Sequence, residues 1–118
     1  MTLFMSSGVM AEDLNGSSFP YGLLELRGYA MEMSEEGAFR IYSDATTFVE
    51  GTFSIEGDKM MIHDRGGMYA CRGKRAKSGS YYWTVREQNL FLELIKDNCG
   101  ARRTAFLEAP LKIASPVK

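Results

Sequence analysis

The stretch Thr-Phe-Ser-Ile-Glu-Gly-Asp-Lys-Met-Met-Ile-His-Asp (52–64) decides the fold. Gly57-Asp58 stands between two alternating runs, and a two-residue loop containing Gly is the strongest short-range signal for a β-hairpin. With Glu56 facing Lys59, Ile55 opposes Met60, Phe53 opposes Ile62 and Gly51 opposes Asp64. Strand side chains alternate with period two, so these six share one face, while Thr52, Ser54, Met61 and His63 take the other.

A second hairpin, Tyr-Tyr-Trp-Thr-Val-Arg-Glu-Gln-Asn-Leu-Phe-Leu-Glu-Leu (81–94), follows the same logic. A turn near Glu87-Gln88 pairs Val85 with Leu90, Trp83 with Leu92 and Tyr81 with Leu94, again with one apolar face. Two such hairpins cannot remain open in water, and the chain is expected to close them into a barrel or sandwich.

The remaining composition agrees. A length of 118 residues suits one domain, and a domain of that size buries enough surface for a stable core. Val, Ile, Phe, Tyr and Thr occur in short runs broken by Gly, Asp and Ser, an all-β pattern. The 14 basic residues nearly balance the 15 acidic ones, so no global basic field marks a nucleic-acid binder and no nucleic-acid partner is expected. The first residues lack a basic leader with a signal-length apolar run, and nothing later approaches the ~20 apolar residues of a membrane span. A soluble chain is the expectation.

In chain order, residues 1–21 form an irregular lead-in with a possible short strand near 2–6 and a weak helical competitor at Val9–Leu14. Leu23–Met33 reads as one long strand whose apolar phase changes at Gly28, the mark of a bulge or barrel corner. Strands over 38–42 and 46–55 lead into the two hairpins, which a longer loop, 65–78, separates. Arg102–Glu108 reads as the last strand, ended by Pro110, with a short edge segment at 112–114. About seven or eight mostly consecutive antiparallel strands at regular spacing predict a single all-β domain over 1–118, an up-and-down meander barrel or a sandwich.

Cys71 and Cys99 follow strands that run in the same direction, so both emerge at one rim and a disulfide is geometrically reasonable. Asp97 and Arg102 flank Cys99, and a rim ion pair holding the disulfide is the simplest account of them. A closed bond implies an oxidising compartment, secreted or periplasmic, and reduced thiols imply the cytoplasm. One histidine and two distant cysteines lack metal-ligand spacing, so no metal is expected. No cofactor is expected either, because phosphate loops and Gly-x-Gly-x-x-Gly are missing.

His63 falls on the outward face beside Thr52. Asp64 falls inward next to Gly51, where a carboxylate has a raised pKa unless paired. At the rim it would be solvated or paired with Arg102 or Arg103. Phe53, Ile62, Tyr81, Trp83, Leu92 and Leu94 face the enclosed side, as a packed core or as the wall of a cavity. Tyr and Trp each need a polar partner, which favours a cavity. The basic run Arg72-Gly-Lys-Arg-Ala-Lys77 lies in the long loop and reads as a solvated surface.

Taken in order, Gly28-Tyr29, Glu-Gly-Ala-Phe-Arg (36–40), the first hairpin, Cys71, Gly-Ser-Tyr-Tyr-Trp (79–83) and Asp97-Asn98-Cys99 with Arg102 resemble the small bacterial lipocalin-like proteins of the calycin superfamily. The resemblance covers residues 22–108 and departs in having no Gly-x-Trp on the first strand. It implies a barrel of about eight strands with a cavity for a small apolar molecule. Binding of a hydrophobic or aromatic ligand is the leading expectation, with Phe53, Ile62, Asp64, Tyr81, Trp83, Leu92 and Leu94 as candidate binding residues. An enzyme that cyclises or isomerises a secondary metabolite in the same cavity, with Asp64 as candidate acid, is the alternative. A protein-binding, protease-inhibitor-like barrel using loop 65–78 is a third reading. Ligand identity and oligomeric state are open at this level.

Overall fold

The computed structural model describes residues 18–115. The short strand near 2–6 and the helical competitor at 9–14 lie outside the described residues. Strands β1 (Gly22–Leu26), β2 (Tyr29–Met33), β3 (Ala38–Ser43), β4 (Thr46–Glu56), β5 (Lys59–Gly66), β6 (Ser78–Arg86), β7 (Asn89–Asp97) and β8 (Leu111–Ser115) pair in sequence order, and β8 returns to β1. Every pairing is antiparallel and the barrel is closed. Closure is what removes the unpaired edges that a set of amphipathic hairpins would otherwise expose.

Both hairpins hold the register their alternation predicts. Phe53 pairs with Ile62 and Gly51 with Asp64, while Tyr81 pairs with Leu94 and Trp83 with Leu92. Gly57 adopts φ 62° at the first position of its turn, which only a glycine occupies without strain. The inward positions Phe39, Phe53, Met60, Ile62, Tyr81, Trp83 and Leu90 are all buried. Thr52, Ser54, Met61 and His63 are exposed.

Three expectations need correction. The phase change at Gly28 is a tight turn rather than a bulge, because Arg27 and Gly28 both take positive φ and fold 22–33 into two paired strands. Leu24, Leu26, Met31 and Met33 then all point inward. Arg102–Glu108 is not a strand but part of helix α1 (Gly100–Leu107). Its two buried residues, Arg102 and Phe106, lie four apart on one helical face, the period of a helix rather than the alternation of a strand. Cys99 is the N-cap, its sulfur accepting from the Arg102 N–H. Consequently the segment at 112–114 is no mere edge; as β8 it pairs with both β1 and β7 and closes the barrel.

The third correction concerns Leu94. It pairs with Tyr81 as expected, yet it remains 41% exposed. β8 pairs with β7 only at Asn89 and Leu90, so the later half of β7 has no second strand beside it and is accompanied instead by α1.

The two ends of the barrel differ. Around the turns at 57–58 and 87–88 the interior is solid. Phe19, just ahead of β1, packs its ring 5.3 Å from Trp83, 5.8 Å from Phe53 and 5.2 Å from Tyr21. The opposite end carries the loop between β5 and β6, the disulfide and α1.

Candidate functional site

At that opposite end two aspartates turn inward, and each lies across from a glycine. Asp64 pairs with Gly51, and Asp97 with Gly79. A Cβ on Gly51 would come within 2.0 Å of the His63 carbonyl oxygen, and one on Gly79 within 2.5 Å of Asp97 Oδ2. At Gly79 the missing Cβ makes room for the Asp97 carboxylate; at Gly51 it makes room for the backbone of β5 at His63 and for the Phe39 ring. A register shift accompanies each aspartate. Arg65 is the extra residue between the Glu50–Gly66 and Gly51–Asp64 pairs, and Ile95 is the extra residue before Asp97. A bulge inserts one residue and flips the face presented beyond it, which is how Asp97 faces inward although it breaks the parity of Leu90 and Leu92.

Arg102, projecting from the first turn of α1, joins the two acids. Its Nε and Nη2 donate to Asp97 Oδ2 and Oδ1 at 2.7 and 2.8 Å, a two-pronged geometry suited to a planar guanidinium. Nη2 also donates to the Ala76 carbonyl and Nη1 to that of Lys77, at 2.8 and 3.3 Å. Nη1 stands 2.9 Å from Asp64 Oδ1. That contact is ionic rather than an aligned hydrogen bond, and among the described residues nothing donates a hydrogen bond to Oδ1. Asp64 Oδ2 accepts from the Cys71 N–H at 2.8 Å. Asp97 is better served, because its oxygens also accept from the Cys99 N–H at 2.9 Å and the Tyr81 hydroxyl at 2.5 Å.

These partners set the charge states. Burial opposes the negative charge of Asp97, but the hydrogen bonds from Arg102, Tyr81 and the Cys99 N–H prevail and hold its carboxyl below the ordinary value. Burial opposes the Arg102 charge as well; Asp97, by hydrogen bonding, and Asp64, by charge, outweigh it and raise the guanidinium further. For Tyr81, burial and then the Asp97 carboxylate act together and push the phenol well above its ordinary range.

Next to this cluster lies a cavity of about 220 Å³. The barrel contributes Leu26, Phe39, Ile41, Val49 and Ile62. Ala101, Ala105 and Phe106 close one side from α1, and Asp64 and Arg102 supply the polar groups. Tyr29, Phe48 and Tyr69 form its mouth. Phe48 stacks on Tyr69 with centroids 5.1 Å apart and meets Tyr29 edge-on at 5.3 Å. Tyr29 and Tyr69 are substantially exposed, so the aromatic mouth faces solvent. The Cys71–Cys99 disulfide, with Cα atoms 6.0 Å apart, ties the loop after β5 to the start of α1. It thereby fixes the helix that walls the cavity.

The structure distributes the candidate residues unevenly. Ile62 and Asp64 line the cavity. Phe53 and Trp83 pack around Phe19 near the other end, and the Trp83 Nε1–H donates to the Gly57 carbonyl at 2.9 Å. Tyr81 serves Asp97 and packs edge-on against Phe106. Leu92 packs against the core and Leu94 is exposed. Of the two arginines proposed for Asp64, Arg102 is the partner, while Arg103 donates to the Asp97 carbonyl at 2.6 Å. His63 lies outside as read, with Nδ1 2.7 Å from Ser78 Oγ. Apart from Ile62 and Asp64, the lining residues lie outside the binding set read from the sequence, Phe48, Tyr69, Ala105 and Phe106 among them; the apolar spacing of four between Ala101 and Ala105 is the available signal for the helical wall.

No group of residues suited to hold a metal occurs among the described residues. No helix among them is long and apolar enough to cross a membrane. Comparison with protein-family models, curated proteins and solved structures finds no match. The architecture places the protein in the class of closed, eight-stranded antiparallel meander barrels; among the described residues one helix, α1, packs beside β7.

Proposed function

We propose that this protein binds a small hydrophobic or aromatic molecule in the cavity between its barrel and α1. The observation that carries the reading is an apolar-lined space of about 220 Å³ with a solvent-facing aromatic mouth. A cavity of roughly 150 Å³ already accepts benzene, so this one suits a single substituted ring or a fused pair. Ligand pockets are mainly apolar with a few placed polar groups, and here Asp64 and Arg102 fill that role. The order of motifs and the barrel together favour a bacterial lipocalin-like member of the calycin superfamily. The disulfide favours an oxidising compartment.

Trp83 is remote from the cavity lining, so its emission is a poor reporter of occupancy. Ligand-observed NMR with indole gives the direct test. Binding is expected in the unaltered protein and its loss in Ala105→Phe, which fills the space from the helix side, with thermal stability little changed. Indole that fails to bind, or binds both proteins equally, overturns the reading.

A further inference from the structure

We propose that the cavity selects ligands carrying a protonated amine on the apolar body, with Asp64 Oδ1 as the acceptor that reads it. The inference rests on the cavity-binding reading above and adds the chemistry of the head group.

Three charged side chains are buried together, Asp64, Asp97 and Arg102, at 4%, 5% and 7% exposure. Two carboxylates against one guanidinium leave the cluster with an excess of one negative charge. The excess belongs to Asp64. Asp97 takes both prongs of Arg102, and each of its oxygens has a further donor. Asp64 has one aligned hydrogen bond, to Oδ2. Among the described residues its Oδ1 has only the off-axis approach of Arg102 Nη1, and the residue borders the cavity. A buried carboxylate oxygen without an aligned donor is costly, and a ligand that supplies a charge-assisted hydrogen bond relieves that cost.

The opposite choice, a ligand carboxylate held by Arg102, conflicts with the geometry. Nε is committed to Asp97, Nη2 to Asp97 and Ala76, and Nη1 to Lys77 and the side of Asp64. An incoming carboxylate would be a third anion facing one guanidinium. Arg103, the other nearby cation, is engaged with the Asp97 carbonyl and does not line the cavity.

Four probes of one size decide the matter by calorimetry or ligand-observed NMR at pH 7: benzylamine, benzyl alcohol, toluene and benzoate. Benzylamine is expected to bind about tenfold or more tighter than toluene, the increment of one charge-assisted hydrogen bond, with benzoate weakest. In Asp64→Asn the preference for benzylamine is expected to collapse while toluene binding is kept. Toluene or benzyl alcohol binding as tightly as benzylamine, benzoate binding best, or an amine preference that survives Asp64→Asn each overturns the head-group assignment and leaves the cavity reading standing. If none of the four binds while indole does, the head-group assignment falls; if indole also fails to bind, the cavity reading itself falls. Should Asp64→Asn fail to fold, the ranking on the unaltered protein decides alone.

Discussion

Arg102 is the residue on which the site depends, because it compensates two buried carboxylates at once. Removing one partner of a buried ion pair strands the other charge and costs about 3–5 kcal/mol. Arg102→Ala is therefore expected to lower stability by at least that range in urea melts. Arg102→Lys is expected to recover little of it, since an ammonium cannot reproduce the fork onto Asp97. The pH dependence follows from Asp97. Its carboxyl in the fold lies below the ordinary value of 3.8, so its contribution is fully present above that value and is lost as the pH falls through the folded pKa. Asp97→Asn is expected to flatten the acid limb of a stability profile measured below pH 3.8, while lowering stability at neutral pH. An unchanged acid limb in that variant would contradict the assignment. Of these residue-level facts the sequence disclosed half. The hairpin register turned Asp64 inward, and the spacing around Cys99 suggested an Asp97–Arg102 pair. What it did not disclose is that Ile95 is an inserted residue, and that insertion is what turns Asp97 into the interior.

Among the elements, the turn joining β6 to β7 is locally unfavourable. Glu87 and Gln88 adopt φ 52° and 66°, the left-handed region that ordinary side chains occupy at a cost. Such a two-residue turn prefers Asn-Gly. Replacing the pair by Glu87→Asn with Gln88→Gly is expected to raise stability by about 0.5–1 kcal/mol, read as an upward shift in Tm. A lower Tm would mean that these side chains contribute more than the backbone strain costs. Helix α1 shows the opposite balance of local and tertiary preference. It is short, and its sequence, Gly-Ala-Arg-Arg-Thr-Ala-Phe-Leu, has no acidic residue in the first turn to favour it. Packing of Phe106 against Tyr81 and the grip of Arg102 on Asp97 and Asp64 hold it in place. Its Ala, Arg and Leu residues favour a helix, but eight residues are too few to form one without tertiary partners.

For the whole molecule, the disulfide is the long-range tie. Cys71 and Cys99 are 28 residues apart, and closing a loop of that length stabilises a fold by about 3–4 kcal/mol in the chain-entropy model. Reduction, or Cys71→Ala with Cys99→Ala, is expected to lower stability by a similar amount in chemical denaturation. Because the bond fixes the start of α1 against the loop after β5, indole binding is expected to weaken in the reduced protein more than the β-sheet signal in circular dichroism declines. Equal losses of both would mean that the bond holds the barrel rather than the wall of the cavity.

The sequence by itself determined an all-β fold of antiparallel amphipathic strands, because period-two alternation and a Gly-containing turn fix which side chains share a face, and such strands must then bury that face together; closure into a barrel came from β8 pairing back to β1. The sequence also determined the register of both hairpins, the outward place of His63, the inward place of Asp64 and the common rim of the two cysteines. Only the tertiary structure decided which inward residues pack and which line a space. Phe19 comes from a segment without regular alternation, yet it fills the end of the barrel where Phe53 and Trp83 meet. The other end is walled by a helix whose position depends on partners far away in the chain. Alternation reports on a strand and its neighbour; the choice between core and cavity depends on what arrives from elsewhere to occupy the interior.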